Sequence, residues 1–158
     1  MLSSFSMYLC GKLKPLYTFA PMQKRLIIFG AFSGAIAVAL GAMGAHALKA
    51  KVADGILTVD NVQAFETAVK YQMYHSILII LLALLINKVN NKLLSKSAYA
   101  IMIGIVLFSG SIYILSTSSL LGLNNLRFLG PITPIGGVFL IIGWVLLAVS
   151  AASKKQNP

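Results

Sequence analysis

Long apolar runs separated by short polar segments dominate the chain. The first run extends from Leu26 to Leu48 without a charged residue and would cover ~33 Å as an α-helix, close to the ~30 Å hydrocarbon thickness of a bilayer. Three further runs of similar character follow. The pattern therefore predicts four membrane spans, at about residues 26–48, 62–86, 98–118 and 134–152.

Small residues within the first run recur at intervals of 4, 3, 4 and 3, which places them on one face of a helix. In lipid the hydrophobic effect does not draw helices together, whereas small residues allow close backbone approach. We therefore predict a helix-packing face on the first span, and a glycine pair in the fourth is interpreted as helix packing or a kink. The predicted packing residues are Gly30, Gly34, Ala37, Gly41, Gly44, Gly136 and Gly137.

The segments between the runs carry signals for helix ends. Residues 49–59 read as a polar loop, and Asp60 is predicted to cap the second helix, with Gln63 three residues later. Thr133 followed by Pro134 predicts the start of the fourth helix. Residues 1–23 are expected to be a poorly ordered extension or a mis-assigned start ahead of Met22, residues 24–153 the membrane domain, and residues 154–158 a cytoplasmic tail.

Composition agrees with a membrane location, since 58% of the residues are hydrophobic and only 10% are charged. The net charge of +10 would suggest nucleic-acid binding in a soluble protein, but the cations lie between the apolar runs, and nucleic acid is not an expected partner. Nine cations fall on one predicted side and four, with all three acidic residues, on the other. The positive-inside rule then predicts cytoplasmic N- and C-termini. The nine are Lys12, Lys14, Lys24, Arg25, Lys88, Lys92, Lys96, Lys154 and Lys155.

A signal peptide is an alternative interpretation of the first run, because Lys24 and Arg25 precede it and Ala45-His46-Ala47 resembles a cleavage site. The run is longer than a usual signal core, and its glycine spacing has no role in a discarded peptide. An uncleaved span is the favoured interpretation.

Polar residues inside the spans are the candidate functional positions, because such groups are costly in lipid and need partners. From the rise per residue, several of them lie at similar depth in the outer half of the bundle. We predict a polar cluster there that fixes helix register, forms a binding or translocation site, or handles protons through the histidines with Glu66. Its candidate members are His46, Tyr71, Gln72, His75, Tyr113 and Thr133, with Ser116 close by.

Catalytic and metal-binding motifs are absent from the sequence. His46 and His75 lie on different predicted helices, and neither H-x-x-x-H nor C-x-x-C spacing occurs. No G-x-S-x-G, H-E-x-x-H or phosphate-binding loop is present either. We therefore expect no enzymatic activity, no cofactor and no metal site.

Four segments together resemble a known family. They are GAFSGAIAVALGAMGAHALK, NVQAFETAVKYQMYHSILII, SGSIYIL and GPITPIGGVFLIIGW. They look like the domain-of-unknown-function 423 membrane proteins, also called uncharacterised protein family 0382 and related to transmembrane protein 256. The resemblance covers about residues 24–150 and implies a four-span bacterial plasma-membrane protein with no established activity. Its signature positions fall here on Gly41, Gly44, Ala45, His46, Tyr71, His75, Pro134, Gly136, Gly137 and Trp144.

The sequence thus predicts an all-α integral membrane protein, a bundle of four transmembrane helices in the bacterial plasma membrane. The favoured function is that of a non-enzymatic accessory or structural protein, whose partners are the lipid bilayer and other membrane proteins or further copies of itself. One alternative is a small oligomeric transporter or channel with a polar site in its outer half. A second is a redox, metal or haem carrier that uses the histidines.

Overall fold

The structure, a computed structural model, describes residues 19–86, 91–123 and 126–153. Within these ranges every regular element is a helix, and four helical segments are long and apolar enough to cross a membrane. The predicted four-span, all-α fold is therefore confirmed. The expected extension up to residue 18 and the tail at 154–158 lie outside the described residues. The elements are α1 (Pro21–Met43), a π-helical turn (Gly44–Leu48), α2 (Lys49–Ala53), α3 (Val59–Leu85), α4 (Asn91–Ser116), a 3-10 turn (Arg127–Leu129) and α5 (Ile132–Ala152).

The first helical segment is longer than the apolar run from which it was predicted. It begins at Pro21, inside the predicted extension, and continues through the π-helical turn and α2 to Ala53. The expected loop over residues 49–59 is thus helical in its first half. The segment ends where Gly55 takes a positive φ of 72°, which lets the Lys51 carbonyl accept the N–H groups of the two residues after Gly55.

Two predicted helix starts were placed a few residues late. The Thr58 side chain caps α3 by accepting the Asn61 N–H at 3.2 Å, and Asn61 Oδ1 accepts the Thr58 N–H at 3.0 Å, so Asp60 is not the cap. Helix α5 begins at Ile132, so Thr133 lies in its first turn and not at its cap. The Thr133 hydroxyl is free for another partner, which is described below.

The glycine face of α1 packs against α3, as its spacing predicted. A Cβ atom placed on Gly30 would lie 2.9 Å from the Ser76 carbonyl oxygen, and one on Gly44 would lie 3.2 Å from the Phe65 ring. Ala37, between them, is fully buried. Positions 34 and 41 are looser, since a Cβ there would have nearest neighbours at 3.8 and 3.4 Å. The closest backbone approach is therefore at Gly30.

Helices α4 and α5 approach each other even more closely. A Cβ on Gly136 would overlap the Phe108 backbone nitrogen, and one on Gly143 would overlap the Ile101 side chain. Gly104 supplies space from the other helix, because a Cβ there would lie 2.5 Å from Leu140 Cδ2. A Cβ on Gly137 would make only ordinary contact with the Phe108 ring, at 3.8 Å.

Direct packing follows the order α1 on α3, α3 on α4 and α4 on α5. Two apolar cores fill the bundle. The larger one lies toward the end that carries Lys24, Arg25, Lys92 and Lys96, called the basic end here, and includes Leu26, Ile79, Leu82, Leu94 and Ile101. The smaller one lies toward the opposite end, called the hairpin end here, and consists of Leu48, Leu57, Val62 and Phe65.

Candidate functional site

Gln72 is the centre of a buried polar cluster between α1, α3 and α4. Its Oε1 accepts a hydrogen bond from the Tyr113 hydroxyl at 2.8 Å, and its Nε2 donates to the Ser33 carbonyl oxygen at 2.8 Å. The Ser76 hydroxyl lies 2.7 Å from Ser33 Oγ and 2.7 Å from the Gln72 carbonyl oxygen. Phe65 packs on the Tyr113 ring with centroids 4.8 Å apart. The sequence therefore predicted the meeting of Gln72 and Tyr113 correctly.

His75 lies on another face of α3 and contacts α5. Its Nδ1 is 2.7 Å from the Tyr71 carbonyl oxygen, and its Nε2 is 3.2 Å from Trp144 Nε1. The indole N–H can only donate and a carbonyl can only accept, so the proton must be on Nδ1 and the lone pair on Nε2. The two contacts thus hold the ring as one neutral tautomer. Binding a metal through Nε2 would require Trp144 to move away.

The position of Trp144 explains why it needs this bond. It lies 12 residues into α5, about 18 Å from the first residue of that helix and about 12 Å from the last. This is near the middle of the span and not in the interfacial belts where tryptophan is usual. Its side chain is 52% exposed on the bundle surface. Without His75 the indole N–H would face hydrocarbon with no acceptor, which is unfavourable.

Tyr71 and Thr133 complete the predicted set on this side of the bundle. The Tyr71 ring stacks on His75 with centroids 5.9 Å apart and contacts Phe108 at 4.8 Å. Thr133 Oγ1 is 2.7 Å from the Ser111 hydroxyl, which joins α5 to α4. Ser116 bonds only the carbonyls of its own helix, at residues 112 and 113. The expected single cluster is thus separated into a Gln72 group and a His75 group.

His46 belongs to neither group, and the prediction that it approaches the others is not supported by the geometry. It is exposed on the π-helical turn, and its side chain forms no hydrogen bond with another described residue. The buried face of this segment continues from Gly44 to Leu48. Residues two apart do not share a helix face, so His46 points away from α3. The two histidines therefore do not form a joint ligand set in the structure.

Further helix-to-helix hydrogen bonds lie outside these two groups and involve residues that were not predicted from the sequence. Ser97 Oγ donates to the Gly143 carbonyl at 2.6 Å, Ser109 Oγ donates to the Ala68 carbonyl at 2.9 Å, and Gln23 Nε2 donates to the Ala83 carbonyl at 3.0 Å. The contact of Ser97 with α5 could have been predicted from the sequence. Ser97 precedes Gly104 by seven residues and shares its helix face, the face that meets α5.

Hydrogen bonding satisfies the buried polar side chains in the described part of the bundle. Among the described residues, no buried side-chain nitrogen or oxygen is without a hydrogen-bond partner. No group of three or more His, Cys, Asp or Glu side chains comes together there either. The arrangement can tie helices to one another and fix their rotation.

Comparison with known proteins gives a consistent result. The family model described as "Protein of unknown function (DUF423)" matches residues 40–137. The chain is 40% identical over 130 residues to the UPF0382 membrane protein YwdK of Bacillus subtilis, covering 82% of this chain and 97% of that protein. It is 39% identical over 128 residues to a UPF0382 membrane protein of Staphylococcus aureus, covering 81% of this chain and 95% of that one. No solved structure matches the chain.

Proposed function

This chain belongs to the DUF423 family of membrane proteins, and from that premise we propose that it is a non-enzymatic accessory protein of the bacterial plasma membrane, which associates with other membrane proteins. The observation that carries the proposal is the use of the intramembrane polar groups. Gln72, Tyr113 and Ser33 bond one another across three helices, and Trp144 occupies the free lone pair of His75. Groups engaged in this way stabilise a fixed bundle.

The distribution of these groups also supports an accessory role over a transport role. A path across the membrane needs polar groups at successive depths. The bond formed by Gln23 near the basic end and the bond from Ser97 to Gly143, one residue before Trp144, are closed helix-to-helix contacts. Beyond Ser76, α3 contributes apolar side chains to the larger core, including Leu78, Ile79 and Leu82.

Crosslinking in intact membranes followed by native electrophoresis tests the proposal. The tagged full chain, expressed at native level, is crosslinked in intact membranes, solubilised in mild detergent and separated by native electrophoresis. We expect it to migrate in a complex that contains another membrane protein at a fixed ratio. An unrelated four-span protein with the same tag and abundance is the control. A monomer or a pure self-oligomer under these conditions would contradict the proposal.

We also propose that both chain ends face the cytoplasm. The support is the charge asymmetry of the sequence: nine cations fall in the terminal segments and the segment between the second and third spans, against four cations and all three acidic residues on the other predicted side. A reporter that is active only outside the membrane, fused after Lys155, should be inactive. The same reporter inserted between Gly55 and Ile56 should be active, and the opposite pattern would overturn the orientation.

A further inference from the structure

A groove runs along the bundle between α1 and α4, which both pack on α3. Its section toward the hairpin end has a volume of about 370 Å³, and its polar floor is formed by Ser33, Gln72 and Tyr113. A second section of about 290 Å³ shares Phe29 and Val106 with the first and continues to Tyr99. All other lining residues are apolar or glycine.

The groove opens toward the surrounding lipid. Phe32 and Val106, which line it, are 69% and 62% exposed. From Tyr99 to Tyr113 it follows α4 for 14 residues, or about 21 Å. Half of the hydrocarbon core measures about 15 Å. The groove is therefore long enough to accommodate one lipid chain of a leaflet along its length.

Gly110 leaves unexplained space in the wall of this groove. A Cβ atom placed there would meet no described heavy atom within 4 Å, in contrast to Gly104 on the same helix, where Leu140 is 2.5 Å away. Glycine inside a helix costs about 1 kcal/mol relative to alanine. Neither helix packing nor a positive φ requires glycine at position 110. The missing side chain instead keeps the groove open beside Gln72 and Tyr113.

Cationic side chains lie on the helix faces that line the groove, at the basic end of the bundle. One α4 face steps by 4, 3, 4, 3, 4 and 3 through exposed lysines, groove residues and Gly110. On α1, exposed Arg25 precedes the groove residues Phe29 and Phe32 by four and seven positions. All three acidic residues of the chain are at the hairpin end. The α4 face consists of Lys92, Lys96, Tyr99, Ile103, Val106, Gly110 and Tyr113.

We propose that this groove binds one anionic phospholipid, with an acyl chain between α1 and α4 and the phosphate beside Arg25, Lys92 and Lys96. The polarity of the groove favours a lipid over a helix of a second copy, because sections of about 370 and 290 Å³ with an almost wholly apolar lining lead to cations at one end only. The charge at the basic end favours an anionic headgroup. The inference is independent of the accessory role.

Native mass spectrometry of the purified full chain tests the proposal. The protein in detergent is incubated with equal amounts of phosphatidylglycerol and phosphatidylcholine that carry the same palmitoyl and oleoyl chains. We expect phosphatidylglycerol to be retained preferentially. Each headgroup-side cation contributes ~1 kcal/mol, or about fivefold, so the double variant Lys92→Gln/Lys96→Gln should lower the preference about 25-fold. Retention of phosphatidylcholine by this variant should not change.

Two groove-filling variants, Gly110→Leu and Val106→Trp, test whether the acyl chain of the lipid lies in the groove. Each should reduce retention of both lipids at least tenfold. The control Ala148→Leu, at an exposed position of α5 away from the groove, should leave retention unchanged. Having two positions keeps the test decisive if one variant fails to fold. Equal retention of the two lipids by the wild type, or unchanged retention in both groove variants, would overturn the proposal. So would preferred retention of a polyprenyl phosphate added in competition, or a loss of self-association in Gly110→Leu without loss of lipid.

Discussion

The close packing of α4 on α5 can be tested by substitution, because Gly136 is in tight contact with the α4 backbone whereas the adjacent Gly137 is not. In Gly136→Ala the new Cβ would lie 2.8 Å from both the Leu107 carbonyl carbon and Phe108 Cα. This is about 0.7–1.2 Å inside the ~3.5–4.0 Å optimum for two carbons. The crowded atoms are backbone and cannot rotate away, so the two helices must separate. Overpacking of this kind costs about 1–3 kcal/mol.

Gly137→Ala is the matched control. It makes the same substitution one residue later, where the nearest atom of the Phe108 ring is 3.8 Å away. Both variants gain the same helix propensity from alanine, so the difference between them isolates the steric effect. We expect Gly137→Ala to stay within about 0.5 kcal/mol of the wild type.

Reversible unfolding in mixed micelles of dodecylmaltoside and dodecyl sulfate measures both variants. Trp144 is the only tryptophan and lies on α5, so its fluorescence follows the unfolding of this helix. We expect the free energy of unfolding of Gly136→Ala to fall at least 1 kcal/mol below that of Gly137→Ala, about a fivefold change in the unfolding constant. Equal values for the two variants would refute the close approach of α4 and α5 at Gly136.

Three further predictions use the same unfolding assay. Gly30→Ala should lower the free energy of unfolding by about 1–3 kcal/mol because the Ser76 carbonyl is 2.9 Å from the new atom, whereas Gly34→Ala should change it by less than about 0.5 kcal/mol; similar losses would contradict the α1–α3 packing. Trp144→Phe removes the fluorophore, so its unfolding and that of the wild type beside it are followed by far-ultraviolet circular dichroism; it should cost about 0.6–1.7 kcal/mol, and ¹⁵N spectra of the wild type should show His75 protonated at Nδ1 only, a proton on Nε2 being incompatible with the indole contact. Tyr113→Phe should cost a similar amount by removing one hydrogen bond, and an unchanged stability would indicate that the bond is absent.

The helix faces were predictable where the spacing of residues carried information about rotation. The small residues of α1 repeat at intervals that match the helical period, so their common face, and its contact with another helix, could be inferred. Gly136 was selected only as part of the adjacent pair Gly136–Gly137, without a spacing that would give its helix face. Gly143 and Gly104 were not selected, although they mark the same contact, because each is a single glycine in its stretch of sequence.

The candidate site was only half predictable, for a geometric reason. Counting residues along a helix gives depth, and depth correctly brought Gln72 and Tyr113 together. It gives no rotation about the helix axis. His46 therefore remained in the predicted cluster, although it faces the other way, and Tyr71 and His75 were not separated from Gln72.

Helix limits were the least predictable feature, because apolar runs mark where lipid begins and ends, whereas helices end where backbone hydrogen bonding ends. Gln23 was assigned to an extension because residues 1–23 contain no apolar run long enough to span, yet it is buried and donates to the Ala83 carbonyl of α3. Residues 49–53 were assigned to a loop since they carry lysines, yet they continue the helix.

The length of that first helical segment has a consequence for how the protein meets bilayers of different thickness. Residues 21–53 extend for about 50 Å, well beyond the ~30 Å hydrocarbon core. Backbone groups at the membrane boundary are therefore already paired within the helix, wherever the boundary falls between Gly44 and Ala53. When the surrounding bilayer thickens by a few ångströms, the adjustment falls on lysine side chains, whose long stems can reach the headgroups, and no backbone hydrogen bond has to break.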